Sequence, residues 1–257
     1  MGLRVLVVGS GGREHALAWK LAGEPGTDEV VVAPGSAAMA AETRVRVMPG
    51  VDPLDPPAVV AAARSSGAEL VVIGPEAPLS VGVVDALDAV GIPTFGPSRA
   101  AARLETSKAF CHAVAEAAGV RMARAASFGG GEERAAAAFI EALAADGAGI
   151  VLKADGLAAG KGVIVTASEA EALELAPSFL RGRPAAEPAL VVEERLAGRE
   201  ASVIAICDGE RAVALPPARD HKRLCDGDAG PNTGGMGAYS PLPDLADEQV
   251  AGILERI

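Results

Sequence analysis

The stretch Lys153-Ala154-Asp155-Gly156-Leu157-Ala158-Ala159-Gly160-Lys161-Gly162-Val163 constrains the fold more than any other. The apolar run Gly149-Ile150-Val151-Leu152 leads in, and Val163-Ile164-Val165 leads out. The pattern predicts strand, glycine loop, strand. An ordinary hairpin with a solvated tip is one reading, but a hairpin turn needs far less than this linker of about nine residues. The other reading is a loop that lies over an anionic group. Its glycines allow close backbone approach, exposed N–H groups bind oxygens, and Lys153 and Lys161 add point charge.

Half of the 257 residues are hydrophobic and 22% are charged, so the chain is globular. Aromatic residues make up only 3%, which leaves the core to Val, Leu, Ile and Ala. A net charge of −11 argues against a nucleic-acid partner, whose footprint is a basic face. It still permits a small anion held by local cations. No apolar run reaches the ~18 residues that span a membrane. The N-terminus Met1-Gly2-Leu3-Arg4-Val5 enters a strand directly, without a signal-peptide pattern. Cys111, Cys207 and Cys225 match no disulfide or metal spacing. The expected setting is the reducing cytoplasm.

Arg4-Val5-Leu6-Val7-Val8 is a continuous apolar run, as for a buried parallel strand. Gly9-Ser10-Gly11-Gly12-Arg13-Glu14-His15 follows, and then a helical pattern to Gly23. Strand, glycine turn and helix open a doubly wound α/β domain. The helix N-terminus suits an anion, and Arg13 adds a planar fork for phosphate. A dinucleotide fingerprint is weak, because Glu14 stands at the third glycine position. The second strand, Glu29 to Ala33, also ends in Pro34-Gly35 rather than an acidic ribose ligand. The turn is read as a simple phosphate site; the bland reading is a tight turn.

Alternation continues with a strand from Val45 to Met48, a helix from Pro56 through Arg64, and a strand from Glu69 to Ile73. Gly74-Pro75-Glu76-Ala77-Pro78 ends that strand, ahead of a helix over Leu79 to Val90 and a strand over Ile92 to Phe95. Ligands of such sheets collect at the carboxyl ends of strands, where Gly9 to Glu14 and Gly74 to Glu76 both fall. Glu76 reads equally as a helix-start residue and as a ligand for a hydroxyl or amine.

Ser98 to Ala118 reads as one alanine-rich helix with Lys108 inside it. Beyond Gly119 come a strand at Ala125 to Phe128, a helix over Glu132 to Ala145, the glycine-loop hairpin, and a helix over Ser168 to Leu175. Ser168 and Glu171 form a capping-box pattern there. Ala189 to Glu194 is a strand; Ala201 to Cys207 and Arg211 to Leu215 form a hairpin about Asp208-Gly209. The expected segments are residues 1–98 (α/β domain), 99–122 (helical linker), 123–196 and 197–257.

Arg219 to Ser240 has no hydrophobic period. It holds Asp220-His221-Lys222-Arg223 and Gly230-Pro231-Asn232-Thr233-Gly234-Gly235-Met236-Gly237-Ala238-Tyr239. A stretch of this length without regular structure is functional or disordered. Met236 and Tyr239 among glycines, beside a basic cluster, favour an ordered binding loop.

These motifs together resemble the glycinamide ribonucleotide synthetase (phosphoribosylamine–glycine ligase) family of the ATP-grasp superfamily. The match is carried by Gly9 to Lys20, Gly74 to Leu79, Ser107 to Phe110, Lys153 to Val163, Val192 to Glu194, Asp220 to Arg223 and Gly230 to Pro241, in family order. The resemblance implies an ATP-dependent ligase acting through a glycyl phosphate on 5-phosphoribosylamine, with Mg²⁺ or Mn²⁺. It implies ATP contacts from Lys108, Lys153, Gly156, Gly160, Lys161, Gly162, Glu193, Glu194, Leu196 and Glu200. Gly11, Gly12, Arg13, Glu14, Gly74, Pro75 and Glu76 would hold the phosphoribosylamine. Asp220, Lys222 and Asn232 would be catalytic, with His221, Thr233, Gly234, Gly235 and Met236 lining the glycine and acyl-phosphate site. The intact enzyme is expected to be monomeric, with no membrane partner.

Family members continue beyond Ile257 with a carboxylate-and-asparagine metal site and a further domain. The resemblance therefore places the metal ligands beyond residue 257 and predicts that this chain alone is inactive. The expected fold is an N-terminal doubly wound parallel sheet followed by an incomplete ATP-grasp fold. Three other readings stand beside it: an NAD-linked oxidoreductase, another ATP-grasp ligase or carboxylase subunit, and a non-catalytic binding module.

Overall fold

A computed structural model of the chain describes residues 2–158, 162–227 and 229–256, with the side chain of Asn232 outside that description. The chain divides into two compact units, Met1–Cys111 and His112–Ile257.

In the first unit, strands β1 (Leu3–Gly9), β2 (Thr27–Pro34), β3 (Val45–Val47), β4 (Leu70–Ile73) and β5 (Thr94–Phe95) form one sheet. The order is β3-β2-β1-β4-β5, all parallel. Between them run helices α1 (Gly12–Gly23), α2 (Pro56–Ser66), α3 (Glu76–Ser80) and α4 (Val83–Asp88). The apolar run of β1 is continuous because both faces are covered. Val5 and Val7 join Val30, Val32 and Val72 against Ala18 and Ala22 of α1. Leu6 and Val8 join Val31, Ala33, Val71 and Ile73 against Val59 and Ala62 of α2 and Val83, Val84 and Leu87 of α4. Burying each Val or Leu side chain contributes roughly 1.5–3 kcal/mol, so β1 anchors two cores at once.

Two helical expectations are corrected here. The stretch over Leu79 to Val90 is two helices, because Gly82 takes a left-handed φ of 86° between α3 and α4. The stretch over Ser98 to Ala118 is broken as well. Helix α5 (Arg103–Thr106) stops at Ser107, whose backbone is extended, and α6 (Lys108–Ala117) starts afresh. The Ser107 hydroxyl accepts from the Phe110 N–H at 3.1 Å. This N-terminal cap outweighs the helical propensity of the surrounding alanines.

In the second unit, β6 (Ala125–Phe128), β7 (Gly149–Ala154), β8 (Val163–Val165) and β9 (Leu190–Arg195) form an antiparallel sheet in the order β6-β9-β7-β8. Helices α7 (Glu133–Ala145) and α8 (Glu169–Leu180) pack on one face. Phe128, Ile150, Leu152, Leu190 and Val192 meet Ala136, Ile140 and Leu143 of α7 and Ala172, Ala176 and Leu180 of α8. Helix α8 passes Leu175, where it was expected to end, and continues through Pro177. Its buried stripe Ala172-Ala176-Leu180 repeats every four residues across that point. The Ser168 cap is present, accepting from Glu171 N–H at 3.2 Å. Glu171 reaches back to Ala167 N–H rather than to Ser168.

Beyond β9, β10 (Ala205–Cys207) pairs with β11 (Ala212–Ala214) as the hairpin expected about Asp208-Gly209. The aperiodic stretch from Arg219 to Ser240 is a set of short ladders. Strand β12 (Arg219–Asp220) pairs with β15 (Ala238–Tyr239), and β13 (Arg223–Cys225) pairs with β14 (Ala229–Asn232). Helix α9 (Asp247–Leu254) follows. Among the described residues no helix is long and apolar enough to cross a membrane.

Candidate functional site

The predicted residues fall into three groups. The first lies at the carboxyl ends of β1, β2 and β4. Gly35 N–H donates to the Gly9 carbonyl at 3.1 Å, and Gly74 N–H to the Val8 carbonyl at 3.1 Å, which draws the three strand ends together. Arg13, in the first turn of α1, donates from Nη1 to the Gly74 carbonyl at 2.7 Å and lies 3.7 Å from Glu76 Oε2. Arg13, Gly74 and Glu76 are thus assembled, and Pro75 caps α3 between them. Glu76 is the first residue of α3, in keeping with its helix-start reading, and its carboxylate faces Arg13.

Glu14 is only 4% exposed. Its Oε2 accepts from Gly11 N–H at 2.7 Å, closing the N-terminal turn of α1. A Cβ at Gly9 would lie 2.5 Å from Glu14 Cγ, and one at Gly74 would lie 2.3 Å from it. The two glycines therefore make room for a buried carboxylate. Gly12 has open space where a side chain would stand.

The second group lies on the face of the four-stranded sheet turned away from α7 and α8. Strand alternation sends Leu152 and Val192 to the helices and Lys153 and Glu193 to the other face. Glu193 is buried, with its side chain 8% exposed, and both carboxylate oxygens are engaged. Oε1 meets His112 Nε2 at 2.9 Å, and Oε2 pairs with Lys153 Nζ. Val163 and Val165 alternate onto the same face as Lys153 and are exposed there. The face thus offers an apolar shelf beside a half-buried lysine paired with a buried carboxylate, a surface that suits a base or ribose with an anionic tail.

Glu194 is not brought to this face. It points the other way, accepting from Arg124 N–H and from Arg124 Nε, both at 2.9 Å. The Arg124 backbone N–H first, and then its guanidinium, hold the Glu194 carboxyl below the usual carboxylate range. Arg124 is itself raised, by Asp146 first and then by Glu194. Leu196 follows the end of β9 with its side chain exposed. Gly156 takes a left-handed φ of 91°, which only glycine adopts freely, at the start of the loop. Gly162 closes the loop, its carbonyl accepting from Ala154 N–H at 2.7 Å. Gly160 and Lys161 lie outside the described residues. Lys108 opens α6 as its first residue.

The third group joins Glu200 to the ladders after Arg219. Lys222 Nζ lies 2.6 Å from Glu200 Oε2 and 3.5 Å from Asp220 Oδ1. Glu200 first, and Asp220 after it, raise the Lys222 pKa. Thr233 donates to the Lys222 carbonyl from N–H and from Oγ1, at 2.7 and 3.0 Å, and accepts from Gly235 N–H at 3.0 Å. Met236 N–H donates to the His221 carbonyl at 2.7 Å, so residues 233 to 237 are tied to 221 and 222. Gly234 has open space around it, and Met236 is exposed. The backbone of Asn232 lies in β14 opposite Arg223; its side chain, the expected catalytic group, lies outside the description.

Residues that sequence reasoning missed support this group. Arg219 bonds Asp244 through two nitrogens, at 3.1 and 3.0 Å, and also the Tyr239 hydroxyl at 2.8 Å and the Glu200 carbonyl at 2.6 Å. His221 stacks on Tyr239 with ring centroids 5.8 Å apart. His112 was missed too; its one sequence signal is its place four residues after Lys108, on the same helical face. Among the described residues no three His, Cys, Asp or Glu side chains gather as a metal site.

Comparison with known proteins supports one assignment across the chain. The family described as phosphoribosylglycinamide synthetase, N domain, matches residues 3–105, and its ATP-grasp (A) domain matches residues 106–257. A phosphoribosylamine–glycine ligase from Ralstonia nicotianae is 48% identical over 257 residues, covering 99% of this chain and 59% of that relative. The crystal structure of phosphoribosylamine–glycine ligase from Thermotoga maritima aligns with a TM-score of 0.76 at 30% identity, over 99% of this chain and 60% of that one. Biotin carboxylase from Campylobacter jejuni shares the fold, with a TM-score of 0.71 at 17% identity over 99% of this chain and 58% of that one. The chain therefore spans about three-fifths of the ligases it matches. The two matched domains together account for residues 3–257, and the chain belongs to the phosphoribosylglycinamide synthetase family.

Proposed function

We propose that this chain supplies the N-terminal substrate domain and the nucleotide-binding sheet of an ATP-dependent ligase. The ligase joins glycine to 5-phosphoribosylamine in cytoplasmic purine biosynthesis. The observation that carries the reading is the pair of half-buried Lys153 with buried Glu193, beside exposed Val163 and Val165 on one sheet face. ATP is the substrate of that face. Lys153 contacts its phosphates, and Glu193 and Leu196 meet the adenine. Lys108 adds a second cation to the phosphates.

The γ-phosphoryl group passes to a carboxylate oxygen of glycine, and ADP leaves. The amine of phosphoribosylamine then attacks the glycyl carbon, expelling phosphate and losing a proton. The intermediate is an acyl phosphate, so water must be excluded while it lasts. The Gly156 to Gly162 loop is assigned the task of closing over it, since its glycines allow close backbone approach. Lys222, Asp220 and Asn232, with His221 and Thr233 to Met236, line the acyl-phosphate site. Glu200 takes the ribose hydroxyls, exchanging its bond to Lys222 for one to nucleotide. Arg13 holds the phosphate of phosphoribosylamine and Glu76 its hydroxyls, while Glu14 keeps the Gly11-Gly12 turn in shape. No step is assigned to Mg²⁺ or Mn²⁺ on the residues of this chain.

Phosphate release by the longer protein that contains this chain tests the reading. Release that requires glycine and phosphoribosylamine together is the expected result. Release driven by bicarbonate, or by neither substrate, would replace the ligase with another ATP-grasp activity.

A further inference from the structure

Glu193 is the only charged residue among the buried side chains described in the second unit, and each of its oxygens has a partner. A buried carboxylate with a single partner can turn about its terminal bond, because that torsion is broad. Two partners on different elements remove this freedom. Lys153 comes from β7, beside β9 in the sheet. His112 comes from α6, 81 residues before Glu193 in sequence. Its side chain is 18% exposed, so its bond to Oε1 is largely shielded from competing water.

We propose that His112 is a positioning residue for nucleotide binding. Its Nε2–H fixes Glu193 Oε1, so that Oε2 holds the Lys153 ammonium where phosphate oxygens arrive. The inference rests on the nucleotide-site reading above and assigns His112 a task within it. The role is that of a hydrogen-bond donor. His112→Gln places an amide N–H near the position of Nε2 and should preserve it, whereas His112→Ala abolishes it.

ATP titration of the longer protein that contains this chain, and of its variants, tests the assignment, with thermal melting as a folding control. His112→Ala should weaken ATP binding by about tenfold, the scale of one hydrogen bond to a charged group. His112→Gln should stay within about twofold of the parent, with a donor retained. In a Glu193→Gln background, His112→Ala should add little, because its target is already altered. If His112→Ala and His112→Gln both bind like the parent while Lys153→Ala weakens binding, the positioning role is wrong and the nucleotide site stands. If both His112 variants weaken binding equally, or the effects add in full to Glu193→Gln, His112 does not act as a donor to Glu193. A parent protein that binds no ATP would remove the site and this role with it.

Discussion

Glu14 and Gly74 compete for one volume: a Cβ on Gly74 would sit 2.3 Å from both Cγ and Oε1 of Glu14. The two residues lie on different elements, α1 and the end of β4, and the glycine lets the carboxylate lie beneath the strand end. Gly9 is restricted twice, by the same side chain and by a φ of 132°. Gly74 is restricted by contact alone, which makes it the cleaner position to alter.

Gly74→Ala should destabilise the chain by about 1–3 kcal/mol, as overpacking of a filled site does. In a Glu14→Ala background the same change should cost less than about 0.5 kcal/mol, because the clashing group is gone. Urea denaturation of the two single variants and the double variant measures the coupling. Equal costs in both backgrounds would show that the contact does not matter.

Ser107→Ala should cost about 0.5–2 kcal/mol, the range for loss of an N-terminal cap. Ser107→Asp keeps an acceptor for the Phe110 N–H and should recover most of it. Denaturation midpoints of the two variants provide the comparison.

Stability in acid should depend on Asp244. The Arg219 hydrogen bonds hold its carboxyl below the usual range. A carboxylate depressed in the folded state stabilises above its ordinary value, near pH 4, and that contribution is lost as pH falls through the folded value. Asp244→Asn should therefore be less stable than the parent at neutral pH and lose less on going from about pH 4 downward. Lys222 has the opposite sign: its raised pKa contributes stability below about pH 10.4, lost as pH climbs beyond it. Urea midpoints across the pH range test both limbs.

The first unit is legible in sequence because β1 is buried on both faces, and burial on both faces leaves an unbroken apolar run. The glycine-loop hairpin is legible for a different reason: its two strands are written as short apolar runs on either side of the glycines. The break at Ser107 is not, because the alanines around it favour helix and one side-chain cap decides the outcome. The ladders of β12 to β15 are too short to show a period of two. Lys153 and Glu193 are named by their motifs, but their meeting needs the β7–β9 register, and His112 needs a contact across 81 residues. Glu194 shows the converse limit: it is adjacent to Glu193 in sequence, yet strand alternation carries it to the opposite face and to Arg124.

Amide hydrogen exchange of the 257-residue chain with and without ATP tests the central claim most directly. The account predicts ATP-dependent protection in Gly149–Ala154, Val163–Val165 and Leu190–Arg195, abolished by Lys153→Ala. Protection confined to Gly9 to Glu14 and Gly74 to Glu76, indifferent to Lys153, would contradict it and place the nucleotide on the parallel sheet instead.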